Sequence, residues 1–162
     1  MARRRTERSI KPSLLDRLTD LEPDRLSDPA PATWQEMRDL KAGLCRDLAA
    51  LLNTRRKEQV LDPAYESCVN SVLTYGMSDF TSYNLTNGVE QELVRRSMER
   101  AIRQFEPRLT RVTVSMEEPN STRPTLQFQI DAVLRIDTTE NVAFDLRLHR
   151  DSRRITVSGS DR

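Results

Sequence analysis

The spacing of apolar residues changes near residue 107. Upstream, in the stretch beginning at Thr33, they recur every three or four positions, which is typical of helices with one buried face. Downstream, from Val112 onward, apolar and polar residues alternate, which is typical of strands in a sheet with one buried face. Pro107 lies at the change because the residue before a proline disfavours helical dihedral angles. The pattern therefore predicts helices first and a sheet afterwards.

Three main helices are predicted upstream of Pro107. The first begins at Thr33, which has capping-box spacing to Glu36. The second begins at Asp62-Pro63 and ends at Tyr75-Gly76, and the third begins at Asn87 and ends before Pro107. The predicted core positions of the first helix are Trp34, Met37, Leu40, Leu44, Leu48, Leu51 and Leu52, and those of the third are Val89, Leu93, Ser97, Ala101 and Phe105.

Four strands are predicted downstream, separated by segments rich in turn residues. Their inward positions are Val112, Val114 and Met116; Leu126, Phe128, Ile130, Ala132, Leu134 and Ile136; Val142, Phe144, Leu146 and Leu148; and Ile155 and Val157. The predicted fold class is α+β, with three main helices packed on one face of a four-stranded antiparallel meander and an N-terminal arm. The second strand is longer than its neighbours, so we expect an unpaired edge that can accept a strand from another chain.

The length of 162 residues suits one domain of ordinary size. We predict an N-terminal arm over residues 1–32, a single domain over 33–158 and a disordered tail over 159–162. The arm carries one apolar cluster, Leu14, Leu15 and Leu18, which either folds on its own domain or becomes ordered on a partner. No apolar run is long enough to cross a bilayer and no signal-peptide pattern is present, so we expect a cytoplasmic protein without membrane insertion.

Composition narrows the possible chemistry. Apolar residues make up 36% and charged residues 31%, with a net charge of +1, so a lean core and an ion-paired surface are expected. Nucleic-acid binding has weak support, because glutamates alternate with the arginines of the third helix. Cys45 and Cys68 lack metal-ligand or redox spacing and are predicted to be reduced, buried thiols.

Catalysis has little support in the residues. Glu90, Glu92, Glu99 and Glu106 could form a pair of carboxylates for glycoside hydrolysis, but helical spacing places most of them beside arginines. Such pairing keeps a carboxylate ionised, whereas a general acid must hold its proton. His149 lies at a strand end without a nearby nucleophile. We therefore predict no catalytic residues, no metal and no cofactor.

The helix-to-strand corner contains Glu106, Pro107 and Arg108. The rigid proline fixes the relative direction of the two charges. Two alternatives remain open from the residues: a local ion pair that stabilises the corner, or charges that are presented to a partner.

At this corner and at several upstream motifs, the sequence resembles the TssE family of type VI secretion baseplate wedge subunits. The matching segments cover about residues 13 to 150. They are Ser13-Leu14-Leu15-Asp16-Arg17-Leu18, Arg46-Asp47-Leu48, Leu51-Leu52-Asn53-Thr54-Arg55-Arg56, Ser71-Val72-Leu73 with Tyr75-Gly76, and Phe105 to Leu109.

The resemblance implies a non-enzymatic structural subunit that joins the baseplate proteins TssF, TssG and TssK. It also implies docking of the first ring of the sheath proteins TssB and TssC by strand addition. Its signature residues fall on Glu106, Pro107 and Arg108, with further partner-binding candidates at Leu14, Leu15, Arg17, Leu18, Arg55 and Arg56. Proteins of this family are sometimes labelled lysozyme-like, so a glycan-cleaving enzyme remains as an alternative. A nucleic-acid-binding module is the other alternative, because of the arginines in the third helix.

Overall fold

The computed structural model describes residues 18, 24, 33–56, 66–69, 71–117, 125–135 and 140–160. The chain divides into two compact units, residues 1–44 and residues 45–162. The predicted division into an arm, a domain and a tail stays a prediction.

The described residues contain two long helices, α1 (Thr33–Asn53) and α2 (Gly88–Phe105). Between them lie a single helical turn (Glu66–Val69), a 3-10 turn (Val72–Thr74) and two short parallel strands, β1 (Arg55–Arg56) and β2 (Met77–Ser78). After α2 come β3 (Leu109–Met116), β4 (Thr125–Leu134), β5 (Asn141–His149) and β6 (Ile155–Gly159).

Strands β3 to β6 form an antiparallel sheet in chain order, so the predicted α+β class and the four-stranded meander are confirmed. Alternate side chains are buried along β4 and β5, as the period of two requires, and Val112 and Val114 continue the pattern in β3. Met116 and Val157, near strand ends, are only half-buried, and Ile136 lies outside the described residues. The predicted inward positions that are buried are Val112, Val114, Leu126, Phe128, Ile130, Ala132, Leu134, Val142, Phe144, Leu146, Leu148 and Ile155, and Leu109 at the start of β3 is buried as well.

The prediction of three main helices is wrong, because the described part of the predicted second helix consists only of the two short turns. Its predicted start at Asp62-Pro63 lies outside the described residues. Gly76 has a φ of +103°, and a Cβ there would lie 2.5 Å from the carbonyl oxygen of Thr54. This glycine permits close approach of the chain to the end of α1, since any other residue would clash with that backbone.

Helix α2 begins as predicted but buries a different face. The Asn87 side chain accepts a hydrogen bond from the Val89 N–H at 3.0 Å, which confirms the cap, whereas the Glu90 carboxylate accepts from the Asn84 N–H. Val89 and Leu93 are exposed and Ser97 and Phe105 are only half-buried, so Ala101 alone of the predicted core row is buried. Residues four apart advance by about 40° around a helix, and such a row therefore winds from solvent into the core. The buried residues of α2 are Gln91, Val94, Met98, Ala101 and Ile102.

In α1 the predicted leucines at 40, 44, 48, 51 and 52 are buried, as expected from their helical spacing. Cys45 and Cys68 are free thiols, as predicted, but both are only half-buried. The partial burial still raises the pKa of the Cys45 thiol, because an apolar environment disfavours the thiolate.

Candidate docking surfaces

One edge of the sheet, the free side of β3, is covered by side chains of α2. The Val112 carbonyl oxygen accepts hydrogen bonds from Arg103 Nε at 3.0 Å and Nη2 at 2.7 Å. The Val114 N–H donates to Glu99 Oε2 at 3.2 Å, and the Val114 carbonyl oxygen accepts from Arg95 Nη1 at 2.7 Å. An added strand would need these same backbone groups, so this stretch of the edge is closed to it.

The side chains that cover β3 belong to an ion-pair network along α2. Arg95 bonds Glu92 at 2.7 Å and Glu99 at 2.8 Å, Arg103 bonds Glu99 at 2.8 Å, and Arg96 bonds Glu92 at 2.7 Å. Hydrogen bonds from Arg95 and Arg96 lower the pKa of Glu92 to about 2. Desolvation raises the pKa of Glu99, but the Val114 N–H and the two arginines outweigh it and leave the pKa below its ordinary value. The predicted pairing of these two acids with arginine is confirmed.

A β-bulge further disturbs the free side of β3. The register with β4 shifts between Thr110 and Thr113, and Arg111 adopts a φ of 52°. A bulge of this kind increases the local twist of a strand and interrupts regular pairing. Like the side-chain cover, it disfavours addition of another strand.

The opposite edge, the free side of β6, is covered only at its start. The Asn53 amide donates to the Ile155 carbonyl oxygen at 2.8 Å and accepts from the Ile155 N–H at 2.9 Å. Because alternate residues of a strand point their backbone groups to the same side, Val157 and Gly159 also face outward. Within the described part of the chain, the outward N–H and carbonyl groups of Val157 and Gly159 have no partner.

At the corner between α2 and β3, the two signature charges bind each other. Glu106 is buried, with 5% of its surface exposed. Arg108 Nε donates to Glu106 Oε1 at 2.7 Å, and Nη2 donates to Glu106 Oε2 at 2.5 Å and to Asp47 Oδ2 at 2.7 Å. This arrangement favours the local ion pair over the alternative in which Glu106 itself meets a partner.

The charged groups at the corner shift the pKa values of their neighbours. The hydrogen bonds that Arg108 donates to Glu106 raise the pKa of Arg108 above its ordinary value, and the hydrogen bond to Asp47 adds to this despite the cost of burial. Burial raises the pKa of Tyr75, with smaller contributions from Asp47 and Glu106, and the Tyr75 ring packs edge-on against Phe105. A glutamate at position 108 would add a third carboxylate, so that substitution would report on stability rather than on docking.

The other predicted site residues are dispersed. Arg55 is used internally: its guanidinium donates to the carbonyl oxygens of Leu52 and Arg153 and lies 4.1 Å from the ring centroid of Phe80. Arg56 donates to the Ser78 hydroxyl at 3.1 and 3.3 Å. Leu18 is exposed, and Leu14, Leu15 and Arg17 lie outside the described residues.

The sequence did not mark Asp47 at the corner or Asn53 at the open edge as functional residues. Asp47 lies in the Arg46-Asp47-Leu48 motif and Asn53 in the Leu51 to Arg56 motif, so the motifs marked the right segments without giving the roles. Their partners Arg108 and Ile155 are 61 and 102 residues away, respectively, and no spacing rule connects such distant positions.

A small α+β unit with one closed and one open sheet edge, and with its carboxylates held by arginines, has the features of a structural module that contacts other chains. Residues 38–139, more than half of the 162-residue chain, match the sequence model of the family described as "Baseplate wedge protein gp25". The chain therefore belongs to the gp25 family of baseplate wedge proteins. No curated protein sequence matches it.

Family membership makes the chain a structural component of a baseplate that contacts other baseplate proteins. Among the described residues, no helix is both long enough and apolar enough to span a membrane.

Proposed function

We propose that this protein is the TssE wedge subunit of a type VI secretion baseplate and works in the cytoplasm without catalysis. It joins the wedge proteins TssF, TssG and TssK to the first ring of the TssB and TssC sheath. The gp25-family match supports the wedge role. The ionised, arginine-bound Glu92 and Glu99 support the absence of glycan cleavage, which would require a protonated carboxyl group.

The single observation that carries the proposal is the contrast between the sheet edges. Among the residues that the structure describes, the free side of β6 offers unpaired backbone groups at Val157 and Gly159, whereas that of β3 is occupied at Val112 and Val114. We infer that a sheath strand adds to β6. Main-chain hydrogen bonds would supply affinity, and the side chains of alternate residues would supply selectivity.

The Glu106-Pro107-Arg108 corner has a positioning role in this proposal. Arg108 fixes Glu106 and Asp47, and so sets the direction in which β3 leaves α2. Pro107 is exposed and Arg108 retains 23% side-chain exposure, so both can still meet a wedge protein from outside. The segment containing Leu14, Leu15, Arg17 and Leu18 is proposed to bind TssF and TssG.

Val157→Pro tests the docking of the sheath. Proline removes the outward N–H of residue 157 but leaves the β5 hydrogen bonds made by its neighbours, a position at which edge strands tolerate proline. We expect the variant to fold and to join the wedge proteins, but to fail to nucleate sheath tubes. Tubes are counted by fluorescence of a labelled TssB, and folding is followed by amide NMR spectra of the purified protein.

Val157→Thr is the matched control, because threonine keeps both the N–H and a β-branched side chain. It should nucleate sheath tubes normally. Normal tube formation by a folded Val157→Pro variant would contradict the role of β6.

A further inference from the structure

A groove of about 280 Å³ lies between the solvent face of α2 and the β1–β2 region. Phe80 and Ala101 are buried side chains that line it, and Leu93 adds an exposed apolar group. Arg56 and Arg100 bring positive charge to the same groove. It is separate from both the open edge of β6 and the Glu106–Arg108 corner, none of whose residues line it.

The positive charge of the groove is only partly neutralised. Among the described residues that line it, none is acidic. Within the described part of the chain, the Arg56 guanidinium donates only to the neutral Ser78 hydroxyl, and Arg100 has no hydrogen-bond or ion-pair partner. Arg96 shares the carboxylate of Glu92 with Arg95. Two arginine charges are thus left for a ligand.

Apolar surface lies beside this charge. Leu93 is 47% exposed and, with Val89, is one of the predicted core residues of α2 that the structure places in solvent. About half of the Leu93 side chain therefore has no packing partner within the unit, and it can pack against a side chain that enters the groove. The groove therefore combines an apolar contact with arginines, which pair well with carboxylates.

We propose that this groove is a second docking surface, which binds an acidic amphipathic segment of a partner protein. An apolar side chain of that segment contacts Leu93, and flanking aspartates or glutamates pair with Arg56 and Arg100. This surface is independent of strand addition at β6, so a wedge subunit could hold one partner here and another at the sheet edge.

A protein segment fits better than a nucleic acid. The exposed Leu93 offers an apolar contact that a peptide side chain can make, whereas a phosphate backbone presents mainly charge. The chain as a whole has a net charge of +1, far from the strongly basic balance typical of nucleic-acid-binding domains.

The test uses the full chain and a fluorescein-labelled peptide of repeated Leu-Glu-Glu triplets, with the same peptide carrying glutamine for glutamate as the comparison. Fluorescence anisotropy should show saturable binding of the glutamate peptide that weakens with added salt. Arg100→Glu should weaken it at least about tenfold, since it replaces attraction by repulsion. Leu93→Ser should weaken it by a smaller factor.

Arg147→Glu is the matched control, because Arg147 is exposed on β5, does not line the groove and undergoes the same change of charge. Its peptide binding should equal that of the unmodified protein. The proposal is overturned by equal binding of the glutamine peptide, by an equal loss in Arg147→Glu, or by the lack of saturable binding up to about 1 mM peptide. Tighter binding of a single-stranded DNA oligonucleotide that depends on Arg100 would also overturn it. None of these outcomes depends on the sheath assay with Val157→Pro.

Discussion

The free sides of β3 and β6 differ in how their backbone groups are satisfied. On β3, charged side chains of the neighbouring helix occupy Val112 and Val114, and a bulge distorts the strand. On β6, the neutral amide of Asn53 occupies Ile155, and no other described residue covers Val157 or Gly159. Strand length alone therefore does not identify a docking edge; side chains from adjacent helices decide which one remains available.

The two sides also depend on different forces. Arginine–carboxylate pairs hold the β3 side, from the Arg108 corner to the Glu99 network, so its stability depends on charge and pH. The β6 side is held by uncharged hydrogen bonds and by the burial of Ile155. A change of pH or the loss of a charged side chain should consequently affect the β3 side more than the β6 side.

The largest expected effect comes from Arg108→Leu at the corner where β3 begins. The substitution leaves Glu106 buried without its cation, so the free energy of unfolding should fall by about 3 kcal/mol. This value is at the lower end of the range for broken buried ion pairs, because Arg108 retains some exposure. Denaturant unfolding measures the change. Arg147→Leu, at an exposed strand position, should change it by less than about 0.5 kcal/mol. Equal stabilities of the two variants would contradict a stabilising role for the corner.

A smaller effect is expected from Asn53→Ala on the β6 side. It leaves the Ile155 N–H and carbonyl without the amide that bonds both, at a cost of about 1–3 kcal/mol. Hydrogen exchange of the Ile155 amide should accelerate while that of Val114 stays unchanged. Asn141→Ala, at the exposed start of β5, is the control and should leave both amides unaffected. Unchanged protection of Ile155 in Asn53→Ala would show that Asn53 does not cover this edge.

The smallest effect is a difference in pH response between the two edges. The folded-state pKa of Glu99 lies below its ordinary value of 4.5, so its contribution to stability is present above that pH and is lost as the pH falls through the lower folded value. Glu92 behaves alike: its contribution decreases as the pH falls from about 4.5 and is gone below its folded-state pKa of about 2. The amide resonance of Val114, bonded to Glu99, should shift on acidification, whereas that of Ile155, bonded to Asn53, should not.

Glu99→Gln should abolish the pH response of Val114. A Val114 resonance that titrates at the ordinary glutamate value, or an equal response from Ile155, would contradict the proposed electrostatic difference between the edges.

Local rules predicted much of the described fold. Alternating residues gave the meander, Pro107 located the end of α2, and Asn87 located its start. Glu92, Glu99 and their arginines lie three or four residues apart, so helix pitch alone brings them together. The predicted second helix failed because start and stop signals do not ensure that the residues between them form one helix.

The sequence predicted less of the candidate docking surfaces than of the fold. Leu93 was assigned to the core because a row of residues four apart resembles a helix face over one or two turns, although it drifts around the helix over its full length. The alternatives for Glu106 and Arg108 could not be separated until Asp47, from a distant helix turn, was found beside them.

Residues close along the chain thus fixed the strand periodicity, the ends of α2 and the ion pairs along it, because backbone geometry sets those distances directly. Which sheet edge stays open and whether the corner is closed depended on contacts across 102 and 61 residues, those of Asn53 with Ile155 and of Asp47 with Arg108. Such contacts form only when the packed core brings distant segments together, and no local spacing encodes them.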